Sequence, residues 1–106
     1  MIFSFKPQSF INHLSEGTHE GTIQEISYIE NAQMFWFKIL VDQSIFTCSF
    51  SIQSPLFNNF ALQYVDENGN FSTENLIGTK VQFVVKDLGE PEQVRSKVTA
   101  LKAIEN

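Results

Sequence analysis

The chain contains a single cysteine, Cys48, and so can close no disulfide within itself. Nothing in that usage points to an oxidising compartment, and cytoplasm is the default expectation. Neither CxxC nor HxxxH spacing occurs, and with only two histidines a structural metal site has no ligand set to draw on. Positive charge is also scarce. Seven Lys and Arg stand against twelve Asp and Glu, a net charge of -5, which argues against coating duplex DNA or an anionic membrane by bulk charge while leaving room for a local basic groove. No apolar run approaches the roughly 20 residues of a spanning helix, and the first residues lack the apolar stretch and small-residue cleavage site of a signal peptide. No membrane partner is expected. The five glycines form no phosphate-cradling loop of the Walker or dinucleotide type. Glu16 with Glu20, and Glu90 with Glu92, read as solvated strand and loop residues rather than as a converging acid–base pair. Asp66, Asn68 and Asn70 imitate the first ligands of a calcium loop, but Phe71 stands where the turn glycine belongs and Ile77 where the closing glutamate belongs, so a plain turn is expected. Neither an enzyme, a metal nor a cofactor is expected.

What the chain does have is aromatic carbon. Eleven Phe in 106 residues, with 42% hydrophobic residues overall, suit one domain with one modest core of rigid side chains, which favours strands over helices. Residues 33–52 are the clearest stretch. Phe35, Phe37, Ile39 and Val41 alternate with Met34, Trp36, Lys38 and Leu40. After Asp42, Gln43 and Ser44, the residues Phe46, Cys48, Phe50 and Ile52 alternate with Ile45, Thr47, Ser49 and Ser51. Period-two alternation sends such residues to opposite faces of a sheet, so the stretch reads as an antiparallel hairpin. One face is apolar and should line the core. The other carries an indole and an ammonium, Trp36 and Lys38, and that combination on an outward face asks for an explanation.

The remaining elements surround this hairpin. Residues 19–30 read as a first strand whose apolar positions Ile23 and Ile26 break strict alternation at Gln24 and Glu25, the mark of a β-bulge, with Gly21 giving room for a close bend. Ser54 and Pro55 open an amphipathic helix of about three turns that runs through Leu56, Phe57, Phe60, Ala61, Tyr64 and Val65. A turn over residues 66–70 ends it, and residues 71–77 are ambiguous, with a second short helix as one reading. Residues 80–87 and 94–104 alternate as a fourth and a fifth strand. Residues 1–16, with Phe3, Phe5 and Phe10 around Pro7, form an amino-terminal extension expected to pack on the domain, Ser9 capping a short helical turn that Gly17 ends.

A bent strand, a hairpin, a helix between the third and fourth strands and a closing strand pair is the order of an oligonucleotide/oligosaccharide-binding (OB) fold, a small Greek-key barrel. The chain resembles that fold over roughly residues 16–105. More loosely, it is similar to small single-stranded-DNA-binding-like proteins of phages and mobile elements. The resemblance rests on the glycine-led, bulged first strand, on the aromatic second strand MFWFKILV, and on the Leu76-Ile77-Gly78-Thr79-Lys80-Val81 lead-in to the fourth. It implies a mainly β, five-stranded OB-like barrel with a short helix between strands three and four, residues 1–106 forming a single domain.

It further implies that single-stranded DNA binds, with little sequence preference, on the outer face of strands two and three. Carried onto this sequence, that face holds Trp36, Lys38, Ile45 and Thr47, with Tyr28, Lys86, Arg95 and Lys97 as neighbours. The indole would stack a base and the cations would contact phosphates. Two other readings of the same face stand beside this one. The amino-terminal aromatics could cover Trp36, or the face could be buried against another copy or a protein partner, since tryptophan is also enriched at protein contacts.

Overall fold

The alternating stretches assemble into one curled sheet. In the computed structural model, which describes residues 9–104, the strands are β1 (Ser9–Ile11), β2 (Gly17–Ile29), β3 (Met34–Val41), β4 (Ser44–Ser51), β5 (Lys80–Leu88) and β6 (Arg95–Ala103). A short helix, α1 (Pro55–Ala61), lies between β4 and β5. The strands pair in the order β1-β4-β3-β2-β5-β6, all antiparallel except β1, which runs parallel to β4. The architecture is therefore mainly β. No helix among the described residues is long and apolar enough to cross a membrane.

The strand that bends the sheet is β2. Its pairing slips between Ile23 and Glu25, leaving Gln24 as the extra residue that the broken alternation anticipated. From Thr22 onward it pairs with β3, and up to Thr22 it pairs with β5, so one bent strand serves both halves. Gly21 sits at the changeover. A Cβ there would lie 2.7 Å from the Leu40 carbonyl oxygen and 2.6 Å from Ile39 Cγ2, so the end of β3 approaches this closely only because the side chain is missing.

Alternation then delivers every second residue to the interior. Phe37 and Ile39, Phe46 and Phe50, and Val81, Phe83 and Val85 are buried from three strands and meet Ile23, Phe57, Phe60 and Leu76. The rings of Phe46 and Phe83 stack with centroids 5.5 Å apart, and Phe57 of α1 stacks on Phe35 at 4.9 Å. Full burial of such a side chain contributes about 1.5–3 kcal/mol. A helix of seven residues is too short to be stable alone, so α1 is held by Phe57, Phe60 and Ala61 in the core. Its start is as expected, with Pro55 in the first turn and the Phe57 N–H donating to Ser54 Oγ at 3.4 Å.

Three departures from the sequence reading have physical causes. The helix is shorter than about three turns, because after Ala61 the chain tightens into a 3-10 turn over Leu62–Tyr64 and Val65 is drawn into an extended bridge with Phe71. Ser9 caps no helical turn. Instead Ser9–Ile11 is a sixth strand, since the free edge of β4 offers Phe10 and Ile11 a ladder beside Ile45 and Phe46 that an isolated turn could not match. Finally, the sheet does not close into a five-stranded barrel. No ladder joins β4 to β6, and the segment after β1 crosses the gap between them.

That crossing strap is tied down along its length. Thr47 Oγ1 donates to the Ile11 carbonyl at 3.3 Å, and the Ser96 N–H donates to the Asn12 carbonyl at 2.8 Å. The Leu14 N–H donates to Ser96 Oγ, whose own hydroxyl donates back to the Leu14 carbonyl. His13 Nε2 lies 2.8 Å from Asp87 Oδ1, and His19 Nε2 bonds the Ser15 carbonyl at 2.6 Å. The strap bridges one end of the β4–β6 gap, and α1 packs against β6 as well. Of the aromatic extension, Phe3 and Phe5 lie outside the described residues.

Candidate functional site

Along β3 and β4 the outward residues line up by register. Trp36 stands between Ser27 of β2 and Ser49 of β4, and Lys38 between Glu25 and Thr47. Small serines on both sides cannot shield a large ring, and Trp36 is 45% exposed. Of the two structural fates open to this indole, the described part of the amino-terminal segment does not bury it. Phe10 goes elsewhere: it is 65% exposed and lies with its ring 5.5 Å from Lys38 Nζ.

Lys38 is not free. Its ammonium meets Glu25 Oε2 at 3.0 Å, both side chains about half in solvent, so the cation expected to hold a phosphate already has a carboxylate partner. Ile45 also departs from its expected place. It is on the outward phase of β4 but only 3% exposed, beside Phe10 in the β1 ladder, and offers a ligand no surface. Tyr28 is 47% exposed but on the wrong face: its register partner is Phe35, whose ring stacks on Phe57, so it belongs to the core side and not beside Trp36.

The unpaired gap between β4 and β6 forms a cleft of about 560 Å³. Trp36, Met34, Thr47, Ser49 and Ser51 line it from the hairpin, and Arg95, Ser96 and Lys97 from β6, with Asn12 of the strap at the rim. Cys48, Phe50 and Val98, all core residues less than 10% exposed, also line it. Burial pushes the Cys48 thiol up to about 12, so at neutral pH it is a protonated, inert packing group. Lys86 does not line the cleft but is the direct cross-strand partner of Lys97, and Arg95 shares the Lys97 face two residues away. Like charges directly opposite repel, and no carboxylate lies within ion-pair distance of these three cations among the described residues. Asp87, next to Lys86, points the other way and holds His13. Glu90 shares a neighbouring hollow with Arg95 without pairing to it.

Four of the eight expected site residues, Trp36, Thr47, Arg95 and Lys97, thus converge on one cleft, with Lys86 flanking it. Lys38, Ile45 and Tyr28 do not join them. Asn12, Ser49 and Ser96 also line the cleft and were not among the expected residues. Ser49 shares the outward phase of Thr47, and Ser96 is a hydroxyl on the core-facing phase of β6 that needs an internal partner. No protein-family model matches this chain, and no curated protein is detectably similar to it.

Proposed function

We propose that the chain is a single-stranded nucleic-acid-binding module that works in the cleft between β4 and β6. One observation carries the reading: an exposed Trp36 lines the same cleft as Arg95 and Lys97, cations without acidic partners among the described residues. Every base has a π-face, so stacking on an indole contributes roughly 1–3 kcal/mol per base without sequence preference. Arg95, Lys97 and Lys86 supply phosphate contacts, whose strength falls as salt rises. The strand order β4-β3-β2-β5-β6, with α1 between β4 and β5, supports an OB-type sheet in which the strap stands in for direct β4–β6 pairing. A net charge of -5 opposes a polyanion at long range, so the affinity is modest and greatest at low salt.

The test is a titration with oligo-dT at low ionic strength, following the fluorescence of the only tryptophan. Quenching with saturation is expected. Unchanged emission together with no mobility shift at about 100 μM protein, the weak end of non-specific binding, would sink the reading.

A second reading is favoured by Phe10, which remains 65% exposed on the same outer face. Here the face is an assembly surface, buried against another copy or another protein. It requires a dimer or larger species in sedimentation that Phe10→Glu dissociates, and a monodisperse monomer at every concentration counts against self-association.

A further inference from the structure

The gap between β4 and β6 is more than the edge of a stacking platform. Beyond Phe46, where β1 ends its ladder, the outer edge of β4 pairs with no other strand among the described residues, and β6 faces it across the cleft with no strand partner on that side, its Ser96 N–H alone being taken by the Asn12 carbonyl of the strap. Unpaired strand edges present backbone N–H and C=O groups in alternation. The lining is mixed, with the core residues Cys48, Phe50 and Val98 beside the hydroxyl-bearing Thr47, Ser49, Ser51 and Ser96. A nucleobase has matching chemistry: two apolar faces and an edge of hydrogen-bond donors and acceptors. The cleft is also lined by Arg95 and Lys97, which meet no carboxylate among the described residues and suit a phosphate attached to whatever enters.

Resting on the single-strand reading above, we propose that this seam takes one unstacked nucleobase inserted between β4 and β6, edge-on to the free backbone, while the next base stacks on Trp36 and the phosphate beside them sits on Arg95 and Lys97. The site is then a two-base grip rather than a flat platform. Duplex is disfavoured, because a paired base has its edge occupied and leaves the stack only at a cost of about a few kcal/mol. Loss of the inserted base should weaken binding by roughly tenfold, within the range for a base–aromatic contact.

The experiment is an NMR titration of the full chain with hexathymidylate, and with a strand of the same length that is abasic at every position. Insertion requires that the Val98 methyls and the Phe50 ring protons shift together with the Trp36 indole, and that the abasic strand leaves Val98 unshifted and binds more weakly. Saturating shifts at Trp36 with none at Val98 would leave a surface stack and overturn insertion without touching the parent reading. No shift at any residue removes that reading and insertion together. A parallel titration with an extended acidic peptide that moves Val98 and the amides of β4 and β6, where the oligonucleotide does not, would assign the seam to an added peptide strand and overturn insertion.

Discussion

Lys38 and Lys97 lie on the same outer surface, both facing out from strands that border Trp36 or the cleft beside it, and their situations are opposite. Lys38 has Glu25 across the ladder at 3.0 Å and the Phe10 ring on its other side. Lys97 has Lys86 across its ladder and no carboxylate in reach among the described residues. A half-exposed ion pair is worth only about 0–1 kcal/mol to stability, but it is enough to satisfy a cation locally. Two facing lysines do the reverse, since they cost stability and are relieved by an anion. The same residue type at the same kind of position is thus structural on one side of Trp36 and available on the other.

The largest test removes what the two regions share. Trp36→Ala should lower affinity for labelled oligo-dT by roughly 1–3 kcal/mol in an anisotropy titration, with little change in thermal stability because the ring is exposed. Next comes the available side. The double change Arg95→Gln and Lys97→Gln should weaken binding to all sequences alike and flatten the log–log salt slope by about 1.4, since each phosphate of a single strand that is no longer neutralised removes about 0.7. Smaller effects come from the satisfied side. Glu25→Gln releases Lys38 and should strengthen binding by about 2- to 5-fold with a steeper salt slope, the gain expected from breaking a pair of this exposure. Lys38→Gln should change neither affinity nor slope beyond error. If instead Lys38→Gln cost as much as Lys97→Gln, the distinction between the two sides would be wrong and the whole hairpin face would be the site.

Period-two alternation was enough to read β2 to β6 and the bulge at Gln24, and Ser54 with Pro55 was enough to read the capped start of α1, because each is a matter of neighbouring residues alone. The strap was not legible in this way. Phe10 and Ile11 become a strand only because β4 has a free edge, which is a fact about a residue pairing more than thirty positions away. Charge pairing failed for the same reason: Lys38 and Glu25 meet through the register that the bulge sets, and moving that slip by one residue would turn Glu25 to the other face. Tyr28, two residues past Ile26, shares its core-facing phase, so the bulge read from the sequence already sets it on the face opposite Trp36. The cleft itself is a gap between two strands that a closed barrel would have joined, and no residue pattern within either strand announces a missing ladder.

The bonds at Ser96 have a consequence in time as well as in space. Ser96 and Leu14 are 82 positions apart, so their contact closes nearly the whole chain into a loop, at an entropic cost of about 4 kcal/mol that nothing offsets until the sheet between them exists. The strap should therefore dock after the folding transition state. Ser96→Ala should leave the refolding rate unchanged and speed unfolding alone, as read from the two arms of a stopped-flow chevron. The strap would then be the last of these contacts to settle, and the cleft would acquire its Asn12 rim only in the final step of folding.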